Sequence, residues 1–500
     1  MHAIPRKFLF IPIALLGAFL YFHAISGPSL WNDEGFSFFV AAGGVRDMLH
    51  WIENDTQPPL YYLTLAFWLD LGHGVTALRS LSAASMLVAL AFVHAAGREL
   101  FDRKTALIAM ALFAIAPHCV MWAQKARPYA FQTMLVAIAF WGFATILRSA
   151  DARARALGGG FAAALRERRP QAARTDLAWL AYAAGGGLAM LAQHPAGFFV
   201  LGCNCAMAVA ILRDRARARV LLLNWVVAQL VLIGIWLLWL PEFLIQYAEH
   251  LAPDRIAQRH AIFLITPLAF WRILVDLFSV SMLWRVQTPA FVLYMAMAAW
   301  GAWQTLRHHA GSAPFILTLA APLAVCALGF FLVNPVFGYV VYTFNWILVP
   351  YTILIAAGIA AIRIRTVQAG ALGVFVLMNL WGLRNYYATS PPPLDAVAGL
   401  IGAEAKPGDG IIFSAAASSR FGIAYYLQPA AGRVAGLDAS RDGDRLIRTA
   451  AAAAGNARNW VVLPEGEAAA VDLAGQPDGW SLGYERHVGS MIVLRYDRRG

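Results

Sequence analysis

The sequence predicts a polytopic α-helical membrane protein with a small α/β domain at its C-terminus. The first observation is composition, since 60% of the 500 residues are hydrophobic, 13% are charged and the mean hydropathy is +0.60. The second is that long apolar runs alternate with short loops containing clusters of arginine, as the positive-inside rule predicts for cytoplasmic loops. The third is a change to a soluble composition after the stiff Pro391-Pro392-Pro393 segment.

The excess of basic residues indicates membrane topology. The formal net charge is +11, but the arginines lie in short loops between apolar runs, so we expect no nucleic-acid partner. The four cysteines lie within apolar runs and show neither metal-ligand spacing nor a disulfide framework. They therefore do not indicate a cellular compartment.

The apolar runs can be threaded through a bilayer in order, because a span needs roughly 20 apolar residues. We interpret the first run, 8–26, as an uncleaved span that follows a cytoplasmic Arg6-Lys7. Residues 58–71 are too short to cross and are predicted to lie in the outer interface, which keeps the basic loop 98–104 cytoplasmic. The sequence thus predicts about eleven spans: 8–26, 78–96, 105–123, 130–147, 177–193, 196–212, 220–240, 289–305, 313–333, 346–362 and 366–383.

With an odd number of spans and a cytoplasmic N-terminus, the C-terminus lies outside. Residues 1–390 are predicted to form the membrane domain, with interfacial helices on the outer face at about 34–71 and 241–288. Residues 391–500 are predicted to form a small extracytoplasmic α/β domain, because short β-like runs alternate there with alanine-rich helical stretches.

Polar residues collect on the predicted outer face. The pair Asp33-Glu34 follows the first span, and such a pair at a membrane surface can act as a general base or position a cation. Cationic side chains on the same face could stabilise negative charge on a departing phosphate. The set on this face comprises Asp33, Glu34, Asp55, Gln57, Lys125, Arg127, Tyr129 and His194, with Arg255, Arg259 and His260 as further candidates.

Each of these residues also has a purely structural interpretation. Asp33 and Glu34 could cap a helix that starts near Gly35, because acids favour helix N-termini. Lys125 and Arg127 could extend from an outer span end towards water. An interfacial histidine such as His194 more often has its hydrogen bonds satisfied by its surroundings than binds a ligand. The shared side of the membrane favours the functional interpretation.

Four segments in this order resemble glycosyltransferase family 39, which includes the dolichyl-phosphate-mannose protein mannosyltransferases. They are Leu30 to Glu34, Asp55 to Tyr62, Leu78-Arg79-Ser80 and Gln124 to Tyr129. The chain is similar more distantly to the lipid A aminoarabinose transferases, and all belong to the C-type superfamily of polyprenyl-phosphate-sugar transferases. The clear match covers about residues 28–130, and the remainder agrees in architecture.

The resemblance implies an inverting glycosyl transfer at the outer face of a bacterial-type inner membrane. The donor would be a polyprenyl-phosphate-linked hexose or pentose, and the acceptor a lipid, glycan or protein. Asp33 falls at the family's catalytic acidic position, with Glu34 beside it, and Asp55 falls near the donor. Arg127 and Tyr129 fall at the motif ending the third span. The paired acids would permit a divalent cation, and nothing in the sequence requires one.

Two departures from the family pattern stand out. Relatives often have histidine directly before the Pro-Pro pair, where this chain has Gln57, so a proton relay or metal ligand there is in doubt. Relatives also tend to carry an Arg-Tyr pair before a late proline-containing span, whereas residues 339–346 contain no cation. The missing charge would have to come from Lys125, Arg127 or the 241–288 segment.

A flippase or transporter and a membrane scaffold are the two alternatives to a transferase. A flippase or transporter for lipid-linked sugars predicts ionisable residues deep inside spans and internal repeats, and the sequence has few of the former and none of the latter. A membrane scaffold that presents the C-terminal domain gives no reason for Asp33, Asp55 and Arg127 to share one face. The transferase hypothesis is therefore preferred.

Overall fold

The computed structural model describes residues 8–53, 57–157, 168–213, 218–250, 252, 275–276, 278–279, 282–283, 285–308, 341–406, 409–414, 420–427, 436–439, 458–465 and 479–499. Asp55, the candidates Arg255, Arg259 and His260, and the predicted span 313–333 lie outside these residues. The predictions made for them stay predictions.

Helices dominate the part of the chain before residue 390. In chain order they are α1 (Phe10–Phe22), α2 (Asn32–Ala42), α3 (Val45–Glu53), α4 (Leu60–Trp68), α5 (Val75–Leu100), α6 (Arg103–Ile115), α7 (Pro117–Ala123), α8 (Pro128–Leu157), α9 (Arg168–Ala192), α10 (Ala196–Arg213), α11 (Ala218–Leu237), α12 (Leu240–His250), α13 (Gln287–His308), α14 (Leu348–Ala360) and α15 (Arg365–Ala388). Short 3₁₀ segments cover Leu69–Leu71 and Val341–Ile347.

Every predicted span inside the described residues coincides with a helix or with a bent pair of helices. By length and composition, 4 of the described helices could cross a membrane, or up to 6 if each of two bent pairs counts as one span. Helix α4 has 9 residues and is followed by a 3₁₀ turn, so this stretch is short, as the sequence predicted. The number of eleven spans stays a prediction.

One of the two bent pairs leads towards the predicted site. Helices α6 and α7 meet at an angle of 58°. Ala116 between them is extended (φ −64°, ψ 122°), and Pro117 begins α7. A proline disfavours helical geometry at the residue before it and cannot donate a backbone hydrogen bond, so the helix breaks here and restarts in a new direction.

The chain divides into two compact units that do not follow a single boundary in sequence. The helical unit consists of Met1–His23, Arg46–Trp68 and Arg79–Ala388. The sheet unit consists of Ala24–Val45, Leu69–Leu78 and Thr389–Gly500. Helix α2, which carries Asp33, is thus grouped with the C-terminal region.

Close helix packing organises the helical unit. At the crossing of α13 and α14, a Cβ atom on Gly301 would lie 2.3 Å from the Leu354 carbonyl oxygen, and one on Gly358 would lie 2.3 Å from the Met297 carbonyl oxygen. The two backbones approach so closely because neither glycine has a side chain. Most of α14 is consequently buried inside this unit.

The sheet unit contains a five-stranded mixed sheet in the order β2-β1-β3-β5-β4. Strands β1, β2 and β3 are parallel, whereas β5 is antiparallel to β3 and to β4. Their bounds are β1 (Gly410–Ser414), β2 (Gly436–Ala439), β3 (Arg458–Pro464), β4 (Trp480–Val488) and β5 (Met491–Arg498).

Side chains of β3 alternate between the two faces, as a pleated strand requires. Trp460 and Val462 pack against the helices α16 (Leu394–Glu404) and α17 (Arg420–Tyr426), and Val461 belongs to the core of the other face. A continuous apolar layer therefore buries the face of the sheet against which α16 and α17 pack.

An ion pair closes one end of this sheet. Arg458 donates hydrogen bonds from Nε to Asp409 Oδ1 (2.9 Å) and from Nη2 to Asp409 Oδ2 (2.6 Å), and Trp460 Nε1 donates to the same carboxylate (3.0 Å). Burial alone would raise the pKa of Asp409. The hydrogen bonds and the guanidinium charge outweigh burial and lower that pKa below its ordinary value.

Candidate active site

The predicted acidic pair lies in the first turn of α2. Trp31, in an extended conformation, precedes the helix, and its carbonyl oxygen accepts from the amides of Glu34 (3.0 Å) and Gly35 (3.1 Å). Asparagine and acidic side chains in a first turn favour helix initiation, because the helix dipole is positive there. The helix therefore begins at Asn32, three residues before the predicted start near Gly35.

Glu34 has a structural role within this turn. Its side chain is 1% exposed, and its Oε2 accepts a hydrogen bond from the Trp31 backbone amide (3.0 Å). This is the reciprocal half of a capping box, in which the third helical residue reaches back to the residue before the helix. The capping role considered for the acidic pair is thus performed by Glu34.

Asp33 differs from Glu34 in exposure. Its side chain is half-buried, and its backbone carbonyl accepts from the Ser37 hydroxyl (3.0 Å) one turn later. The first turn of a helix is a favourable place for an acidic side chain, because the helix dipole is positive there. A partly accessible carboxylate can serve as a general base.

The basic residues lie in the tight turn between α7 and α8, where the Arg127 amide donates to the Lys125 carbonyl oxygen (2.8 Å). Arg127 is only 6% exposed, and its guanidinium carbon lies 5.8 Å from the centre of the Tyr129 ring. Its Nη2 lies 3.5 Å from the Tyr129 hydroxyl. Lys125 Nζ lies 5.3 Å from the centre of the Trp122 ring. Two cations therefore lie against aromatic rings in one turn.

Three aromatic rings form the wall beside these cations. The Tyr129 ring centre is 4.6 Å from that of Trp122 and 4.8 Å from that of Tyr342, and the latter two are 5.1 Å apart. Tyr342 belongs to the segment that departs from the family by lacking a cation. The structure brings this segment to the turn that contains Lys125 and Arg127.

Gln124 ties this turn to other helices of the same unit. Its Nε2 donates to the carbonyl oxygens of Leu20 (2.7 Å) and His23 (2.9 Å), and its Oε1 accepts from the Tyr386 hydroxyl (3.0 Å). The ends of α1 and α15 are thereby joined to the end of α7. The position of the basic turn is fixed from three directions.

The remaining predicted residues of the helical unit meet in a cluster of neutral polar side chains. Gln57 and Gln193 are hydrogen-bonded through their side-chain amides and are 7% and 3% exposed. Gln132, at 0% exposure, lies one turn beyond Tyr129 on α8, and its Nε2 donates to the Gln193 carbonyl oxygen (3.4 Å). This link places the amide cluster next to the basic turn.

His194 lies beside this cluster, in the turn between α9 and α10. Its ring centre is 4.9 Å from that of Phe243 on α12, and both ring nitrogens are buried. Burial lowers the pKa of His194 to about 4, with Gln246 acting in the opposite direction. The imidazole is therefore neutral at physiological pH.

Several residues of these surroundings were not assigned by sequence reasoning. Arg79, 2% exposed near the start of α5, is a buried cation, and the available signal was its place in the Leu78-Arg79-Ser80 segment of the family resemblance. Gln132 and Gln246 are ordinary glutamines within apolar helices, and their burial was not readable from the sequence.

Among the described residues, no group of three or more histidine, cysteine or acidic side chains is arranged to hold a metal ion. Asp33 and Glu34 are the candidates that the sequence offered, and Glu34 uses its carboxylate to cap α2.

Comparison with known families supports the resemblance noted in the sequence. A family model described as dolichyl-phosphate-mannose-protein mannosyltransferase matches residues 56–166. This range contains Gln57, Lys125, Arg127 and Tyr129. No curated protein matches the chain at a significant level.

Solved structures resemble the chain over nearly its whole length. ArnT from Cupriavidus metallidurans bound to undecaprenyl phosphate has 12% sequence identity and a TM-score of 0.57, with 98% of this chain and 97% of that chain covered. Its apo state has 13% identity and a TM-score of 0.60 over the same shares. The archaeal oligosaccharyltransferase AglB from Archaeoglobus fulgidus, in complex with an inhibitory peptide and a dolichol-phosphate, has 12% identity and a TM-score of 0.53, with 93% and 70% covered.

At these identities the structural likeness establishes the fold, and the family model adds a sequence match within the segment that carries the basic turn. Together they confirm the predicted fold class, a polytopic helical membrane protein with a small C-terminal sheet domain. The chain thus has the C-type glycosyltransferase fold and contains a segment similar to the dolichyl-phosphate-mannose-protein mannosyltransferase family.

Proposed function

We propose that the protein is an integral membrane glycosyltransferase that moves a sugar from a polyprenyl-phosphate carrier to an acceptor hydroxyl or phosphate. The observation that carries this proposal is the basic turn, where a buried Arg127 and Lys125 lie against Trp122 and Tyr129 inside the family-matched segment. The fold shared with ArnT, whose structure contains undecaprenyl phosphate, supports the same class of donor.

The basic turn is suited to hold the donor phosphate. The Arg127 guanidinium, at 6% exposure, can bind the donor phosphate through charge-assisted hydrogen bonds, which are strong where water is largely excluded. The adjacent rings of Trp122, Tyr129 and Tyr342 provide an apolar wall along which a lipid tail can lie. Lys125 and Arg127 would bind the phosphate before the reaction and stabilise the charge that it gains on leaving.

Asp33 is proposed as the general base. Its carboxylate accepts the proton of the acceptor hydroxyl, while that oxygen attacks the anomeric carbon from the side opposite the phosphate. The bond between the anomeric carbon and the phosphate oxygen breaks, and the polyprenyl phosphate leaves with the electron pair. Attack from the opposite side inverts the anomeric configuration, so a product of inverted configuration is expected.

The amide cluster is proposed to contact the hydroxyl groups of the sugar. Gln57, Gln132 and Gln193 are buried next to the basic turn, and His194 is neutral. Amides and a neutral imidazole can both donate to and accept from hydroxyls. Asp55, two residues before Gln57, is proposed to orient the acceptor or a cation near the donor.

The protein is proposed to lie in a bacterial-type inner membrane, with a cytoplasmic N-terminus and an extracytoplasmic C-terminal domain. The Arg-rich loops support this orientation through the positive-inside rule. The C-terminal domain, which begins near residue 391, is proposed to lie on the side of the membrane where transfer occurs.

The decisive experiment compares the wild type with Asp33→Asn, using radiolabelled sugar in a mixed polyprenyl-phosphate-sugar pool with an acceptor extract. We expect transfer by the wild type and a loss on the order of 1,000-fold in the variant, with normal expression and folding. An active Asp33→Asn protein would remove Asp33 as the base. Movement of labelled lipid across vesicles without any transfer would replace the transferase by a flippase.

A further inference from the structure

The segment that contains Asp33 is held by helix α17, nearly 400 residues later in the chain. The Leu30 backbone amide donates to the Tyr426 hydroxyl (2.9 Å), and the Phe421 backbone amide donates to Asn32 Oδ1 (2.9 Å). All of these residues belong to the sheet unit. Hydrogen bonds to α17 thus lie on both sides of residue 31, immediately before Asp33.

The backbones of α2 and α17 also touch directly at Gly35. A Cβ atom at this position would lie 2.3 Å from the Phe421 carbonyl oxygen and 2.7 Å from the Gly422 amide nitrogen. These are backbone atoms, so no side-chain rotation could relieve the overlap. Glycine is required here by the close approach, and the contact defines the distance between the two helices.

Aromatic side chains extend the same contact along α2. The ring of Phe421 lies 5.3 Å from that of Phe36 and 6.2 Å from that of Phe39. Together with Asn32 and Gly35, these positions follow a spacing of three, four and seven residues, which is one face of a helix. Asp33 lies on α2 beside this face, and none of these contacts uses its carboxylate.

Helix α17 is itself fixed by the sheet. Ile423 and Leu427 belong to the core formed by α16 and the strands, together with Leu394 and Trp460. The Tyr425 hydroxyl donates to the His73 carbonyl oxygen (2.7 Å). The position of the Asp33 backbone is therefore set by the folded sheet domain.

We propose that α17 is a positioning element for the catalytic carboxylate, and that Tyr426, Phe421 and the Gly35 contact are positioning residues for Asp33. The C-terminal domain then contributes to turnover itself, beyond any role in acceptor selection. This inference rests on the proposed function of Asp33. A carboxylate displaced by about 1 Å can lose on the order of 100-fold in rate, so a rigid support has a direct kinetic effect.

Two variants of the full-length protein test this proposal, each with a matched control. Gly35→Ala introduces the overlap with Phe421, whereas Gly399→Ala makes the same change on an open side of α16, with nothing within 4 Å. Tyr426→Phe removes only the hydroxyl that accepts from Leu30. Tyr496→Phe removes a buried hydroxyl on β5 that has no hydrogen-bond partner among the described residues.

Two measurements are made on each protein in detergent. The first is transfer from the labelled polyprenyl-phosphate-sugar pool, resolved into kcat and apparent KM. We expect kcat to fall on the order of 100-fold in Gly35→Ala and about five-fold in Tyr426→Phe, with apparent KM within about two-fold of wild type. The second is backbone hydrogen exchange of residues 32–42, which should become faster in both variants and in neither control.

The outcomes separate this proposal from the one on which it rests. Faster exchange of α2 with unchanged kcat in both variants would overturn the positioning role. Unchanged exchange in both would overturn the contact itself. If Gly35→Ala fails to fold, as shown by loss of a cooperative thermal transition, Tyr426→Phe decides alone. A wild type without transfer would overturn the proposed function, whereas the exchange data would still test the contact.

Discussion

The basic turn between α7 and α8 and the acidic segment, residues 30–39 with Asp33 and Glu34, each position a charged side chain, but they do so through different contacts. In the basic turn, Trp122, Lys125, Arg127 and Tyr129 are close in sequence, and distant segments add Tyr342 and the partners of Gln124. In the acidic segment, Asn32 and Leu30 are held by partners 389 and 396 residues away. The difference shows that spacing in the sequence can specify which charged side chains occur together, whereas the distant helix α17 holds the segment that carries Asp33.

The two regions also differ in burial. Arg127 is almost completely buried, with the Tyr129 ring beside its guanidinium, whereas Asp33 is half-buried in a helix first turn. A buried cation has a large desolvation cost that a bound anion can offset, and a partly exposed carboxylate has a smaller one. Substitutions in the basic turn should therefore affect donor binding, and those around Asp33 should affect turnover.

The largest effect that would sharpen this comparison is expected for Arg127→Gln. Loss of the guanidinium removes the proposed partner of the donor phosphate, so kcat/KM should fall on the order of 100-fold, mainly through a higher apparent KM. Arg127→Lys should recover part of this loss, because it restores the charge without the planar fork. The measurement is transfer from the labelled donor pool over a range of concentrations.

The control for Arg127 is Arg148→Gln, since the Arg148 side chain is 54% exposed and contacts Glu99 in the same unit. This variant should retain the donor affinity of the wild type. Equal apparent KM values for Arg127→Gln and the wild type would show that the basic turn does not bind the phosphate.

A smaller effect is expected for Glu34→Gln, which distinguishes capping from catalysis at the acidic pair. Glutamine keeps an oxygen that can accept from the Trp31 amide but loses the charge at the helix terminus. We expect a loss of about 1 kcal/mol in unfolding free energy and less than about ten-fold in kcat. The readouts are thermal unfolding and transfer, measured beside Asp33→Asn.

If Glu34→Gln instead lost transfer as completely as Asp33→Asn while keeping its stability, both carboxylates would be catalytic. The proposed site would then contain two catalytic acids, Asp33 and Glu34, in addition to the two cations Lys125 and Arg127.

The smallest effect concerns pH and the neutral cluster. The pKa of His194 is about 4 in the folded protein against an ordinary value of 6.5, so between these values the unfolded chain binds more protons. Stability is therefore lost as the pH falls from 6.5 towards 4. His194→Gln should reduce the destabilisation between pH 7 and pH 5 by about 2 kcal/mol, measured by thermal unfolding.

Asp409→Asn is the matching control in the sheet unit. The pKa of Asp409 lies below its ordinary 3.8, so its contribution is lost only below that value. This variant should be less stable at every pH from 5 to 7 but should keep the wild-type difference between those two values. A His194→Gln protein with the wild-type difference would show that His194 protonates freely in the folded state.

The fold class could be predicted because it depends on local patterns, and the chemistry of the site stays a prediction. Apolar runs predict membrane helices wherever they occur, and the Gln124 to Tyr129 motif carries its own cations and ring. Which of Asp33 and Glu34 would cap the helix could not be predicted, because both acids occupy one helix turn. The structure distinguishes them through a hydrogen bond from Trp31 and the burial of Glu34.

The contacts to α17 were also beyond prediction. No periodicity in residues 30–39 indicates which distant helix covers them, and Gly35 in the sequence is an ordinary helical glycine. The folded structure shows that the Phe421 backbone occupies the space that a Cβ atom at residue 35 would need.

The contact at Gly35 has a consequence for how this architecture can be recombined. A C-terminal domain taken from another protein of this fold would bring a different helix to the position of α17, with its own backbone path and side chains. Such a chimera would retain the helices around the basic turn but lose the contacts that hold the Asp33 backbone. Inheritance of the C-terminal domain and of the short loop after the first span is therefore coupled, although almost the entire chain separates them.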